Sequence, residues 1–124
     1  MVFQHIPYFL SKPDEDDDGY FNLPKKWRFE ILDKLTEAGM SSCINGEIEF
    51  QPRLILIFLA GVRYIFTGHY HRNAGGTYKN IEEVVTSAIG APLGDDPSGF
   101  RIVSVNESAI SHDYVPIHES VPLV

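Results

Sequence analysis

The chain has 124 residues and a formal net charge of -7, which allows one small domain burying roughly two thirds of its unfolded surface, and which repels a phosphate backbone and so excludes nucleic acid as a general partner. Its 44% apolar and 22% charged residues exclude wholesale disorder. The longest apolar run, Leu54 to Val62, is far short of the roughly 18 to 20 residues that cross a bilayer, no secretion signal opens the chain, and a single cysteine, Cys43, permits no internal disulfide, so the expected compartment is the cytoplasm.

In chain order, "MVFQHIP" reads as a short strand that delivers His5 and is stopped by Pro7. Strand ends are where α/β folds keep their chemistry. "SKPDEDDDGYFNLP" carries five acids from Asp14 to Asp18, which read as a solvated loop or as an acidic rim beside a cationic or metal-bearing site. From Pro24 the pattern turns helical. Trp27, Ile31 and Leu35 recur at helical spacing, Leu32 and Ala38 widen the stripe, Pro24 suits the first turn and Gly39 the position past the last. "LILIFLAGV" is an uncharged apolar run between Arg53 and Arg63, read as an extra strand or a poorly packed excrescence and an aggregation hazard. The remainder reads as strands: "VRYIFTGH", "EEVVTSAIG", "GFRIVSVNES" and, weakened by Pro116, "DYVPIH", with "APLGDDPSG" as turn chemistry. The class is α/β.

The stretch "FTGHYHRNAGG" holds the densest chemistry. If it is extended, His69 and His71 project to one side about 6.5 to 7 Å apart, a separation from which two imidazoles reach two metal ions about 3.5 to 4 Å apart. Gly68 would let the backbone approach such a site, and Gly75 and Gly76 would turn the chain sharply away. The spacing alone fits solvated or hydrogen-bonded rings equally. His5, at a second strand end, adds a third candidate ligand; His112 and His118, in the polar tail, are expected on the surface, and Arg72 is expected to be a solvated loop residue rather than a phosphate contact.

Gly68-His69-Tyr70-His71 resembles the closing Gly-His-x-His signature of the calcineurin-like metallophosphoesterases. "VFQHIP", "DEDDDGYFNL", "GHYHRNAGGTY", "VVTSAIG" and "DPSGFRIVSV" also follow one another as in that family. The resemblance implies the C-terminal part of a four-layer α/β/β/α sandwich. It implies hydrolysis of phosphomonoesters on serine or threonine of a phosphoprotein substrate by two divalent ions (Mn, Fe or Zn), with His5 and His69 on one ion and His71 on the other. In such a site two cations polarise the phosphoryl group and lower the pKa of a bridging water.

The family's earlier motifs, Asp-x-His and Gly-Asn-His, do not occur in the chain, and the one Gly-Asp, Gly94-Asp95, comes after the histidines. Three imidazoles without a carboxylate do not offset the repulsion between two cations, so this chain alone is expected to have negligible phosphatase activity. Residues 1–124 then read as a partial domain. Met40 to Gly61 reads as an insertion, bracketed by two Ala-Gly pairs whose codons permit a retained intron. The alternatives are a noncatalytic partner-binding fragment and a mononuclear zinc-binding module on His5, His69 and His71.

Overall fold

The computed structural model describes residues 1–38 and 61–117, which form a mixed α/β structure. Its elements are β1 (Val2–Phe3), α1 (Lys25–Glu37), β2 (Tyr64–Thr67), β3 (Ala74–Tyr78), β4 (Ile81–Val85), β5 (Gly99–Val105) and β6 (Ile110–Pro116). The first four strands build a mixed sheet in the order β1-β2-β4-β3, in which β1, β2 and β4 run parallel and β3 lies antiparallel to β4. β5 and β6 form a separate antiparallel hairpin. No helix among the described residues is long and apolar enough to cross a membrane.

The two faces of the sheet follow from strand alternation. Ile65 points to one side and joins Tyr8, Phe9, Leu32 and Ile81 in the core beneath α1, with Ile31, Leu35 and Val62 packed around them. Each fully buried aliphatic or aromatic side chain there stabilises the fold by about 1.5–3 kcal/mol. Tyr64 and Phe66 take the other side, where Phe66 stacks on Phe3 at 5.3 Å and on Tyr64 at 5.9 Å. The hairpin closes over Tyr64 and Phe66, leaving Phe3 exposed, through His112, which meets Phe66 edge-on at 5.5 Å and bridges the Arg101 guanidinium at 2.9 Å and Glu82 at 3.3 Å. His112 is therefore an inward-facing packing residue and not the surface histidine its polar neighbours imply, because alternation along β6 turns it towards the sheet.

α1 starts after Pro24 as expected, and Ile31, Leu32 and Leu35 of its apolar stripe face the core, but the stripe fails at its two ends. Arg28 and Leu32 are its buried residues, whereas Trp27 is half exposed with Lys26 Nζ over its ring, and Ala38 is exposed. The Trp27 expectation fails because the acidic loop supplies backbone carbonyls that make burial of Arg28 favourable.

"AGGTY", expected as a sharp bend, is instead strand β3. Gly75 sits at φ 132° with its amide donating to the Leu10 carbonyl at 2.8 Å, and a Cβ there would collide with the Glu83 carbonyl. A Cβ on Gly76 would meet the Ser11 carbonyl at 2.5 Å. The glycine pair thus serves close backbone approach within a strand. β6 forms in full, with Pro116 as its last residue, where the missing amide costs least.

Gly39, His118 and the run from Met40 to Ala60 lie outside the described residues, and with them the expected extra strand. At the near edge, the Val62 amide donates to the Leu35 carbonyl at 3.3 Å, so the end of α1 and the approach to β2 adjoin.

Candidate metal-ligand site

His5 and His69 are brought together by the parallel pairing of β1 and β2. Phe3 pairs with Phe66, so both strands end at the same sheet edge. The ladder continues just past them, with Gln4 donating to the Phe66 carbonyl and Gly68 to the His5 carbonyl, each at 3.1 Å. The rings that follow meet edge-on at 4.7 Å, with His69 Nδ1 3.0 Å from His5 Nε2.

The segment after β2 is not extended. His69 and His71 adopt φ of 63° and 56°, and the Tyr70 amide folds back onto the Gly68 carbonyl at 2.6 Å. Left-handed backbone at non-glycine residues costs on the order of 1 kcal/mol each. Its effect is to send the two rings in different directions. His69 joins His5 and Tyr20, while His71 Nδ1 reaches the Ala91 carbonyl at 2.9 Å. Gly68 has open space where a Cβ would lie, so the expected close approach there does not occur.

The neighbouring carbonyls identify one N–H on each of two rings. A carbonyl only accepts, so His69 Nε2, 3.0 Å from the Tyr20 carbonyl, is an N–H; in the neutral ring Nδ1 then keeps its lone pair and accepts from His5 Nε2–H across their 3.0 Å contact. By the same reasoning His71 Nδ1 donates to Ala91 and leaves Nε2 bare. A carbonyl on the far nitrogen is the usual way a protein presents a histidine to a metal. The 3.0 Å contact is a hydrogen-bond distance, and the two nitrogens would part by only a few tenths of an ångström to the about 3.3–3.4 Å that two imidazoles span on a tetrahedral ion with bonds of about 2.0–2.1 Å. Among the described residues, however, no three His, Cys, Asp or Glu side chains converge on one point.

Tyr20 belongs to the acidic loop, which is more ordered than a solvated charge run. Glu15 accepts from the amides of Leu10, Ser11 and Lys12 at 2.7–3.2 Å and from the Asn22 side chain at 2.8 Å. Burial would raise its pKa, but the Leu10 amide, the Asn22 side chain and the Ser11 and Lys12 amides outweigh it and hold the carboxyl at about 2. Asp17 accepts from the Lys25 amide at 2.6 Å, ahead of α1, and Asp18 from the Phe21 amide at 3.0 Å. Three of the acids therefore fold the loop. Arg28, fully buried, donates to the carbonyls of Pro13, Glu15 and Leu23 at 2.8–3.2 Å and approaches Asp17 at 3.4 Å. In sequence Arg28 follows Lys25 and Lys26 and lies one residue from the apolar stripe, so helical periodicity alone does not separate it from a surface cation.

Between this loop and the segment after His71 lies an open cleft of about 730 Å³, lined on one side by Glu15 to Asp18 and on the other by Tyr70, Arg72 and Asn73. Arg72 is exposed and lies over the Tyr70 ring at 5.4 Å. Asn73 is a structural hub: its amide donates to Asp96, and its side-chain oxygen accepts from Arg101 at 2.9 Å. Leu93 and Ser87 fasten the His71 carbonyl at 2.8 and 3.0 Å, so the loop after β4 holds this segment from behind. Glu83, also invisible as a site residue in sequence, is buried in β4 and accepts from the amides of Tyr8 and Phe9 at 2.7 and 3.1 Å, fixing the path of the chain beyond His5. Burial, opposed by those amides and by the charge of Arg28, pushes it up to about 8.

No family model and no solved structure matches the chain. Curated proteins do. It is 46% identical over 119 residues to "Serine/threonine-protein phosphatase CPPED1" of Homo sapiens, covering 96% of this chain and 31% of that protein. It is 47% identical over 119 residues to the protein of the same name in Rattus norvegicus, with the same coverage, and 42% identical over 114 residues to that of Danio rerio, covering 92% of this chain and 29% of that protein. The chain thus spans about a third of the length of the curated relatives it matches. It is a homologue of the CPPED1 serine/threonine-protein phosphatases, which are calcineurin-like phosphoesterases, and it fits the C-terminal portion of such a protein.

Proposed function

We propose that the chain is the histidine-bearing part of a metal-dependent phosphoesterase acting on phosphoserine or phosphothreonine in a phosphoprotein, with His5 and His69 as ligands of one divalent ion and His71 as a ligand of a second. The observation that carries this reading is the meeting of His5 Nε2 and His69 Nδ1 at 3.0 Å, from positions 64 residues apart, in a chain whose relatives bear the name serine/threonine-protein phosphatase. A pair of divalent ions (Mn, Fe or Zn), when bound, supplies charge that polarises a phosphoryl group and makes water more acidic.

The chain's own donors fit one such ion better than two. Paired neutral imidazoles suit Zn or Fe, but no carboxylate gathers with them among the described residues, and a cation pair needs one to offset its repulsion. No hydrolytic step is therefore assigned to this chain by itself. A module holding a single zinc ion on His5, His69 and His71 is disfavoured as a second reading, because His71 turns away to the Ala91 carbonyl while only the other two rings meet. The sheet, on the main reading, is one half of an α/β/β/α sandwich, and Phe3, two-thirds exposed on the hairpin side, supports an uncovered half. Incubated with manganese, the chain is expected to release no phosphate from a phosphoserine peptide. Turnover with two equivalents of metal bound contradicts the inactivity, and failure to bind any divalent ion contradicts the ligand roles.

A further inference from the structure

We infer that Arg28 is a positioning residue for the ligand pair: it holds both limbs of the acidic loop so that the Tyr20 carbonyl stays against His69 Nε2 and leaves Nδ1 bare, facing His5. The inference takes its consequence for metal binding from the reading above, while its structural cause stands independently.

The chain of contacts is continuous. The Arg28 guanidinium is fully buried and reaches Pro13 and Glu15 on the incoming limb of the loop and Leu23 on the outgoing limb. Tyr20 lies between those limbs. Asn22 crosses from one limb to the other, donating to Glu15 at 2.8 Å and to the Asp16 carbonyl at 3.1 Å and accepting from the Asp18 amide at 3.0 Å. The Tyr20 carbonyl then meets His69 Nε2 at 3.0 Å, with the Tyr20 ring 4.7 Å from the imidazole. A flexible loop would let His69 exchange tautomers, and the form with Nδ1 protonated offers His5 a donor instead of a lone pair and presents no ligand to a cation between them. Only a planar, five-donor guanidinium can hold three carbonyls on two limbs together; a lysine ammonium at the same depth cannot span them.

The test uses the full chain, first free of metal and then titrated with zinc. In the wild type at about pH 8, above the ordinary imidazole range, ring ¹⁵N shifts of His69 are expected to report one tautomer with Nε2 protonated. Arg28→Met is expected to give a mixture of tautomers and to raise the zinc dissociation constant roughly ten- to a hundred-fold, as loss of an outer partner of a metal-bound histidine does. Asp17→Asn removes the charge facing Arg28 while its amide oxygen can still accept from the Lys25 amide, so it tests the same link should the buried substitution prevent folding; a smaller shift in the same direction is expected. A single unchanged tautomer in the folded variants overturns the inference, as does weakened zinc binding with the tautomer intact. A wild type that shows the single tautomer but binds no zinc, with the tautomer mixed in Arg28→Met or in Asp17→Asn, upholds the role of Arg28 and removes the ligand reading.

Discussion

Two carboxylates with opposite displacements set the pH response of this molecule at the scale of single residues. Glu15, held at about 2 against an ordinary 4.5, binds fewer protons folded than unfolded over that interval. Its contribution to stability is complete above about 4.5 and is lost as pH falls towards about 2. Glu83, pushed up to about 8, keeps a proton in the folded state that the unfolded chain releases near 4.5. Its contribution is complete below about 4.5 and is lost as pH rises through about 8. Denaturant unfolding followed across pH is expected to show both arms. Glu15→Gln should flatten the acid arm and Glu83→Gln the other, and an unchanged profile in either variant shows that its carboxylate is not the group responsible. Both residues steer backbone and neither touches the histidines, so the loops that deliver His5 and Tyr20 share this pH dependence.

At the scale of elements, β3 and the join between α1 and β2 carry the sharpest expectations. Gly75→Ala places a Cβ against the Glu83 carbonyl at a φ of 132°, and should cost about 2 kcal/mol or more in chemical denaturation. A loss of only a few tenths would mean that β3 shifts freely. Because Val62 bonds directly to Leu35, we also propose that Met40 to Gly61 is an insertion between elements that belong together. Its deletion should raise soluble yield and leave the melting temperature within a few degrees, whereas loss of folded protein would make the segment part of the core. The strands rich in β-branched and aromatic residues, and the helix after Pro24, were legible because composition and period agree with their burial. β3 was not, because Gly-Gly signals a bend locally and only the tertiary approach of Leu10 and Ser11 makes it a strand. The three histidines stood out by residue type, and the parallel register that joins His5 to His69 needed only strand ends. The left-handed turns that separate His71, and the buried Arg28 and Glu83, depend on carbonyls and amides that no side-chain pattern records.

For the whole molecule, the described residues make a helix, a mixed sheet and a hairpin stacked in that order, with the ligand candidates at the edge where two parallel strands end. The curated relatives are about three times as long, and on the proposed reading the complete phosphatase activity belongs to a site with carboxylates beside these imidazoles. What this chain brings together is one pair of imidazole nitrogens, 3.0 Å apart, and on the proposed reading that pair serves one ion. Calorimetric titration of zinc into the wild type and into His5→Ala, His69→Ala and His71→Ala tests that claim most directly. The account predicts one equivalent bound by the wild type, lost in His5→Ala and in His69→Ala and weakened least in His71→Ala; binding that survives removal of His5 or of His69 would contradict it.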